Sequence, residues 1–152
     1  QPSEAAEFLA GVRNLVGSDG AMILGVDRVK DKLHLDAAYN DSAGLTAAFN
    51  MNMLARINRD LHAEFDLDSF EHVAFFNTSA SRIEMHLRSL IAQVICVAGE
   101  PITFAAGETI WTESSYKYSE DGLRALVAAG GFSMHRLWTD EEENFWVAYL
   151  SP

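Results

Sequence analysis

Ala21-Met22-Ile23-Leu24-Gly25-Val26-Asp27 decides the fold. An unbroken apolar run closed by an aspartate has the form of a strand covered on both faces, which is the habit of parallel sheets. Just before it, residues 3–16 place Ala5, Phe8, Leu9, Val12, Leu15 and Val16 at the spacing of one helical face. Ser3 is positioned to cap that helix and Gly17 to end it. Helix, tight turn through Ser18-Asp19-Gly20 and buried strand make half of a βαβ unit, so an α/β sheet with a parallel strand at 21–27 is expected.

The far end of the chain returns to the same grammar. Residues 120–129 read as a helix with Leu123, Leu126 and Val127 inward, closed by Gly130-Gly131. Residues 132–138 and 144–150 read as two strands joined by an acidic turn, an antiparallel hairpin. Between these ends the character changes. A short helix is expected over 32–39 and a longer one over 42–62. Leu45, Ala48, Phe49, Ile57 and Leu61 form the longer helix's inward stripe, broadened by Met51, Met53 and Leu54. Strands are expected at 72–76, 82–97, 102–104 and 109–112. In the longest, Ile83, Met85, Leu87, Ile91, Ile95 and Val97 hold the odd, inward positions, and Glu84, His86 and Arg88 the even, solvent-facing ones. The middle therefore reads as a small antiparallel α+β insert.

Composition removes several functions. A net charge of -11 repels nucleic-acid backbones and anionic membranes. No apolar run reaches the length of a membrane span. The single cysteine, Cys96, lies in the apolar run 94–97, reads as a small buried hydrophobe and excludes a disulfide framework, in keeping with a cytoplasmic setting. No secretory leader opens the chain, and a first residue of Gln suggests a trimmed, processed or excised N-terminus. Metal chemistry lacks a ligand set: Glu84 and His86 share a strand face, but no third ligand has the spacing. Nucleophilic catalysis lacks a Gly-x-Ser-x-Gly elbow, and no glycine-rich phosphate loop opens a helix.

What remains is Gly107-Glu108-Thr109-Ile110-Trp111-Thr112-Glu113-Ser114-Ser115-Tyr116-Lys117-Tyr118. If extended, it puts Glu113 and Ser115 on one face, a carboxylate and a hydroxyl able to grip a small ligand carrying N–H donors. A solvated loop is the competing reading. With Tyr39, at a helix end, and Met85, on the insert's apolar face, these side chains would suit a small zwitterion bearing a flat polar ring. Spacing alone does not bring the four together.

Several phrases together carry a resemblance: Leu24-Gly25-Val26-Asp27, Ala38-Tyr39-Asn40-Asp41-Ser42-Ala43-Gly44, Thr46-Ala47-Ala48-Phe49-Asn50, Arg82-Ile83-Glu84-Met85-His86-Leu87, and Gly107-Glu108-Thr109-Ile110 followed by 112–119. They resemble the histidine-specific, S-adenosylmethionine-dependent methyltransferases of ergothioneine biosynthesis, across residues 3–150. The resemblance implies the C-terminal half of such an enzyme, lacking the glycine-rich cofactor-binding half. It implies residues 1–28 and 118–152 as late elements of a Rossmann-like class I sheet ending in an antiparallel hairpin, with 29–117 as an inserted substrate domain. Tyr39 would bind the histidine backbone, Met85 would pack against the ligand, and Glu113 and Ser115 would hold the imidazole. No catalytic base, metal or S-adenosylmethionine site is expected in this chain. Expected partners are histidine or a similar amino acid, the missing half, and further copies covering the apolar edge of strand 21–27. The alternative is a non-catalytic amino-acid-binding or assembly module built on the same fold.

Overall fold

The structure is a computed structural model that describes every residue from Gln1 to Pro152. Its first elements are α1 (Pro2–Val16), β1 (Met22–Asp27), α2 (Lys32–Tyr39) and α3 (Leu45–Leu61). A 3-10 turn (Leu67–Ser69) leads into β2 (Phe70–Asn77), β3 (Arg82–Ser89), β4 (Gln93–Val97) and β5 (Glu100–Phe104). The chain ends with β6 (Thr109–Tyr116), α4 (Glu120–Ala129), β7 (Ser133–Thr139) and β8 (Phe145–Ser151). It divides into two units, Gln1–Lys30 with Tyr116–Pro152, and Asp31–Ser115.

The first unit packs α1 and α4 on a sheet of order β1-β8-β7. Its core is Leu9, Leu123, Leu126, Val127, Phe132, Trp146, Ala148 and Leu150. The α4 residues are the inward set expected from sequence; of the α1 stripe, Leu9 alone is fully buried, while Phe8 and Leu15 are exposed. Helix α1 meets the end of α4 so closely that a Cβ on Gly130 would stand 2.4 Å from the Cβ of Leu9. Strand β1 departs from expectation. It pairs β8 antiparallel, from Met22↔Leu150 to Asp27↔Phe145, and lies at the sheet edge. Alternate residues face outward, with Ile23 62% exposed. An apolar run of this length fits either arrangement, because hydrophobicity records burial and not strand direction. The mixed α/β class stands, although the ladders of this sheet are antiparallel and the one parallel element is the isolated bridge Arg28↔Tyr118.

The second unit holds a sheet of order β2-β3-β6 and a separate β4-β5 hairpin. Helix α3 begins at Leu45, three residues later than the sequence pattern predicts. The Asp41 carboxylate accepts from the amides of Leu45 and Thr46, both at 2.9 Å, and Gly44 takes a left-handed conformation, φ 70°. The inward face of α3 also shifts: Asn50 and Leu54 are buried, and Met51, Met53 and Ile57 pack toward Phe65, Phe70, Leu87, Ile95 and Phe104. Leu45 and Phe49, expected inside, face outward. The rotation is possible because the Asn50 amide is satisfied inside, by the His86 carbonyl and His72 Nδ1, each at 3.0 Å.

The predicted strand 82–97 is two strands in two sheets. The break falls at Leu90-Ile91-Ala92, where buried Ser89 donates to the Ile91 carbonyl (2.8 Å) and accepts from Gln93 Nε2 (2.7 Å). Ile91 is thereby exposed, and Cys96 in β4 is only partly buried. Glu84 and His86 do not face solvent as predicted. Glu84 is buried and accepts from Arg82 Nε (2.8 Å) and Asn77 Nδ2 (3.0 Å), with His86 Nε2 at 3.4 Å. Burial works to raise the Glu84 carboxyl, but those partners outweigh it and hold it below the ordinary carboxylate value. Alternation in the sequence separated the two faces of β3 but wrongly made the even one solvent-facing: Glu84 is buried and His86 partly so, and only Arg88 is exposed.

Candidate functional site

The candidate side chains of the sequence reading all lie in the second unit. Tyr39 closes α2, whose first turn is capped by Asp31 accepting from the Leu33 amide at 2.9 Å. The Tyr39 hydroxyl donates to Ser115 Oγ at 3.0 Å, so residues 76 apart in sequence meet through a single hydrogen bond. Beneath the tyrosine lies an apolar cluster of Leu35, Ala74, Phe76, Ile83 and Met85, and the Tyr39 ring packs against it. Met85 is 2% exposed, a member of that core, and its carbonyl accepts from Thr112 Oγ1 at 2.9 Å. Three of the four residues therefore belong to one assembly: tyrosine on thioether-bearing core, tied to a serine on β6.

Glu113 sits two residues away on the same strand and is exposed. Its backbone carbonyl accepts from Trp111 Nε1 at 3.0 Å. Its carboxylate has no ion-pair or hydrogen-bond partner in the chain, and the residue lines a cavity of about 570 Å³ between α3 and β6. Phe49, Met53, Ile57 and Leu61 supply the cavity's apolar wall, and Asn50, Arg56, Asp60 and Thr112 its polar groups. A cavity that is mainly apolar, with a few polar groups among its lining, suits a small molecule. Tyr39, Met85 and Ser115 do not line it.

Sequence reading missed the α3 contribution. By sequence Phe49 and Leu61 fall in the inward stripe, yet both line the cavity together with Arg56. The available signal was the placing of Arg56 and Asp60 beside the stripe Met53-x-x-x-Ile57-x-x-x-Leu61, charges that a core-facing helix surface would not carry. No three His, Cys, Asp or Glu side chains gather as a metal-binding set.

In the first unit the end of β1 carries a further charged group. Asp27 pairs with Lys117 Nζ at 2.7 Å and Lys30 Nζ at 2.5 Å, and the Lys117 side chain is 1% exposed. Burial works to raise the Asp27 carboxyl, but hydrogen bonds from Lys117 and Lys30 outweigh it and hold it below the ordinary value.

Comparison with known proteins agrees with the motifs. The chain belongs to the family described as histidine-specific methyltransferase, SAM-dependent, whose model matches residues 1–152. The histidine N-alpha-methyltransferase of Mycolicibacterium smegmatis is 44% identical over 146 residues, spanning 95% of this chain and 46% of the relative. That of Mycobacterium tuberculosis is 42% identical over the same shares of each chain. Ergothioneine biosynthesis protein 1 of Neurospora crassa is 26% identical, over 90% of this chain and 16% of its own. The chain thus spans about half the length of the two bacterial relatives. A solved S-adenosylmethionine-dependent methyltransferase from Clostridium acetobutylicum aligns at a TM-score of 0.46 and 8% identity, over 99% of this chain and 52% of that one.

Proposed function

We propose that this chain is the C-terminal portion of a histidine Nα-methyltransferase and that its part in the reaction is to hold the amino acid. One observation carries the reading: Glu113, whose carboxylate is unpartnered, lines a small-molecule cavity in a chain of this family. An imidazole N–H is a fitting donor to that carboxylate, and a charge-assisted bond of this kind is worth about 1.5–3 kcal/mol. Ser115 and its hydrogen-bond partner Tyr39 lie outside that cavity, so their contacts with the ring and with the amino acid's backbone are assigned from the family resemblance alone. Met85 acts from below, by packing under the tyrosine. Residues 29–117 serve as the substrate domain, 1–28 and 118–152 as the late part of the cofactor-binding sheet.

The residues present do not fit S-adenosylmethionine. The carboxylate at the end of β1, which could have bound a ribose, is held by two lysines, and the chain has no glycine-rich turn between a strand and a following helix. No step of methyl transfer is therefore assigned to this chain's side chains. This mismatch also favours the second reading, an amino-acid-binding or assembly module on the same fold. A cytoplasmic setting and self-association through the exposed edge of β1 complete the proposal; no helix is long and apolar enough to cross a membrane. Calorimetry on the isolated chain tests it: histidine gives a saturable heat and S-adenosylmethionine none. Micromolar S-adenosylmethionine affinity, or no response to histidine, would contradict it.

A further inference from the structure

An edge strand leaves part of its backbone without a ladder partner, and β6 is such a strand. At Glu113 the carbonyl is instead satisfied by a side chain of the same strand, the indole N–H of Trp111 at 3.0 Å. That indole is 49% exposed, yet it is held by two neighbours. The His86 imidazole stacks on it with centroids 5.8 Å apart and planes 15° from parallel, and the Arg82 guanidinium lies 4.3 Å from its centroid. Both neighbours are anchored in turn. Phe75 stacks on His86 at 5.5 Å and 11°, and buried Glu84 takes the Arg82 guanidinium at 2.8 Å and lies 3.4 Å from His86 Nε2.

The line of contacts therefore runs across the sheet from β2 through β3 to β6 and ends on one backbone atom, the carbonyl of Glu113, which lines the cavity. We infer that Trp111 is a positioning residue for Glu113: its indole N–H, clamped by His86 and Arg82, fixes the backbone from which the carboxylate enters the cavity. The inference rests on the reading of Glu113 as the group that grips the ring. A carboxylate on a free edge strand would sample several rotamers and backbone angles, and each would be lost on binding. The clamp removes the backbone part of that cost before ligand arrives.

Removing only the N–H tests it. Trp111 is replaced by 3-benzothienylalanine, which keeps the ring shape and stacking, and separately by Trp111→Phe. The amide order parameters at Glu113 and Ser114 are measured in the free chain, and histidine affinity is measured by calorimetry. The expected result is a fall of the order parameters from the rigid range, about 0.85, toward about 0.6. Histidine binding weakens about three- to tenfold, as loss of one hydrogen bond would give, with the thermal midpoint essentially unmoved. Unchanged order parameters in both variants would overturn the inference. So would an affinity loss that only tracks a lowered thermal midpoint, because that is a structural effect. If the parent chain fails to bind histidine, the reading of Glu113 falls by itself, and the order parameters alone decide the positioning claim.

Discussion

Replacing Asp27 by asparagine isolates the most buried charge in the chain. The parent carboxylate lies 2.7 Å from Lys117 and 2.5 Å from Lys30, with the Lys117 side chain 1% exposed and the Asp27 side chain 28% exposed. Asn keeps the shape and a carbonyl acceptor but removes the charge, leaving the Lys117 ammonium out of water beside a neutral amide. Removing one partner of a fully buried pair costs about 3–5 kcal/mol. The partial wetness of Asp27 screens the pair, which brings the expectation to about 2–4 kcal/mol. That is a large share of the roughly 5–15 kcal/mol that ordinary domains possess. The pH dependence has a definite sign. The folded Asp27 carboxyl ionises below its ordinary value of 3.8, so its contribution is complete above that value and is lost as pH falls toward the folded one. Urea unfolding followed by tryptophan fluorescence, with Trp146 in that unit's core, should therefore show a gap between parent and Asp27→Asn at pH 7. The gap narrows below pH 3.8. Adding Lys117→Met to the variant recovers part of the loss, because it removes the buried ammonium. A variant within about 0.5 kcal/mol of the parent at pH 7, the ordinary scatter of surface substitutions, would refute the reasoning.

Three further outcomes follow from the packing. Gly130→Ala places a Cβ 2.4 Å from that of Leu9 and should cost about 1–3 kcal/mol in urea unfolding, since backbone and core must shift together. Leu54→Ala removes a side chain with no exposed surface from the α3 core and should cost about 2–5 kcal/mol in the second unit. The Asp41 carboxyl, which caps α3, is lowered to about 2, chiefly by the Thr46 amide. Its support of the helix should persist well below pH 4 and vanish in Asp41→Ala, read as faster amide exchange in the first turn of α3.

The elements were legible where local chemistry agrees with packing. Helix α4 shows this best: Ser119 caps it by accepting from the Gly122 amide, Leu123, Leu126 and Val127 point inward, and all of this is written in the spacing. The errors share one cause, that periodicity records burial but not what does the burying. The β1 run reads as parallel because it is apolar throughout, yet its antiparallel partner comes from 118 to 128 residues later in the chain, Asp27↔Phe145 to Met22↔Leu150. The α3 face was misplaced because Asn50, a polar residue, is buried by two long-range hydrogen bonds that no local pattern announces. The same limit applies at the site. Glu113 and Ser115 stood out in a polar run beside the candidates Tyr39 and Met85, and the family resemblance gave the four their roles. The Tyr39–Ser115 bond, the α3 wall of the cavity and the clamp on Trp111 all depend on tertiary contacts.

The central claim is that the Glu113 carboxylate holds the ring of an amino acid. Titrating histidine by calorimetry into the parent chain and into Glu113→Ala tests it most directly. The account predicts saturable binding by the parent and a loss of roughly ten- to hundredfold in the variant, the worth of one charge-assisted hydrogen bond. Equal histidine affinity in the two proteins, with both folded by circular dichroism, would contradict it.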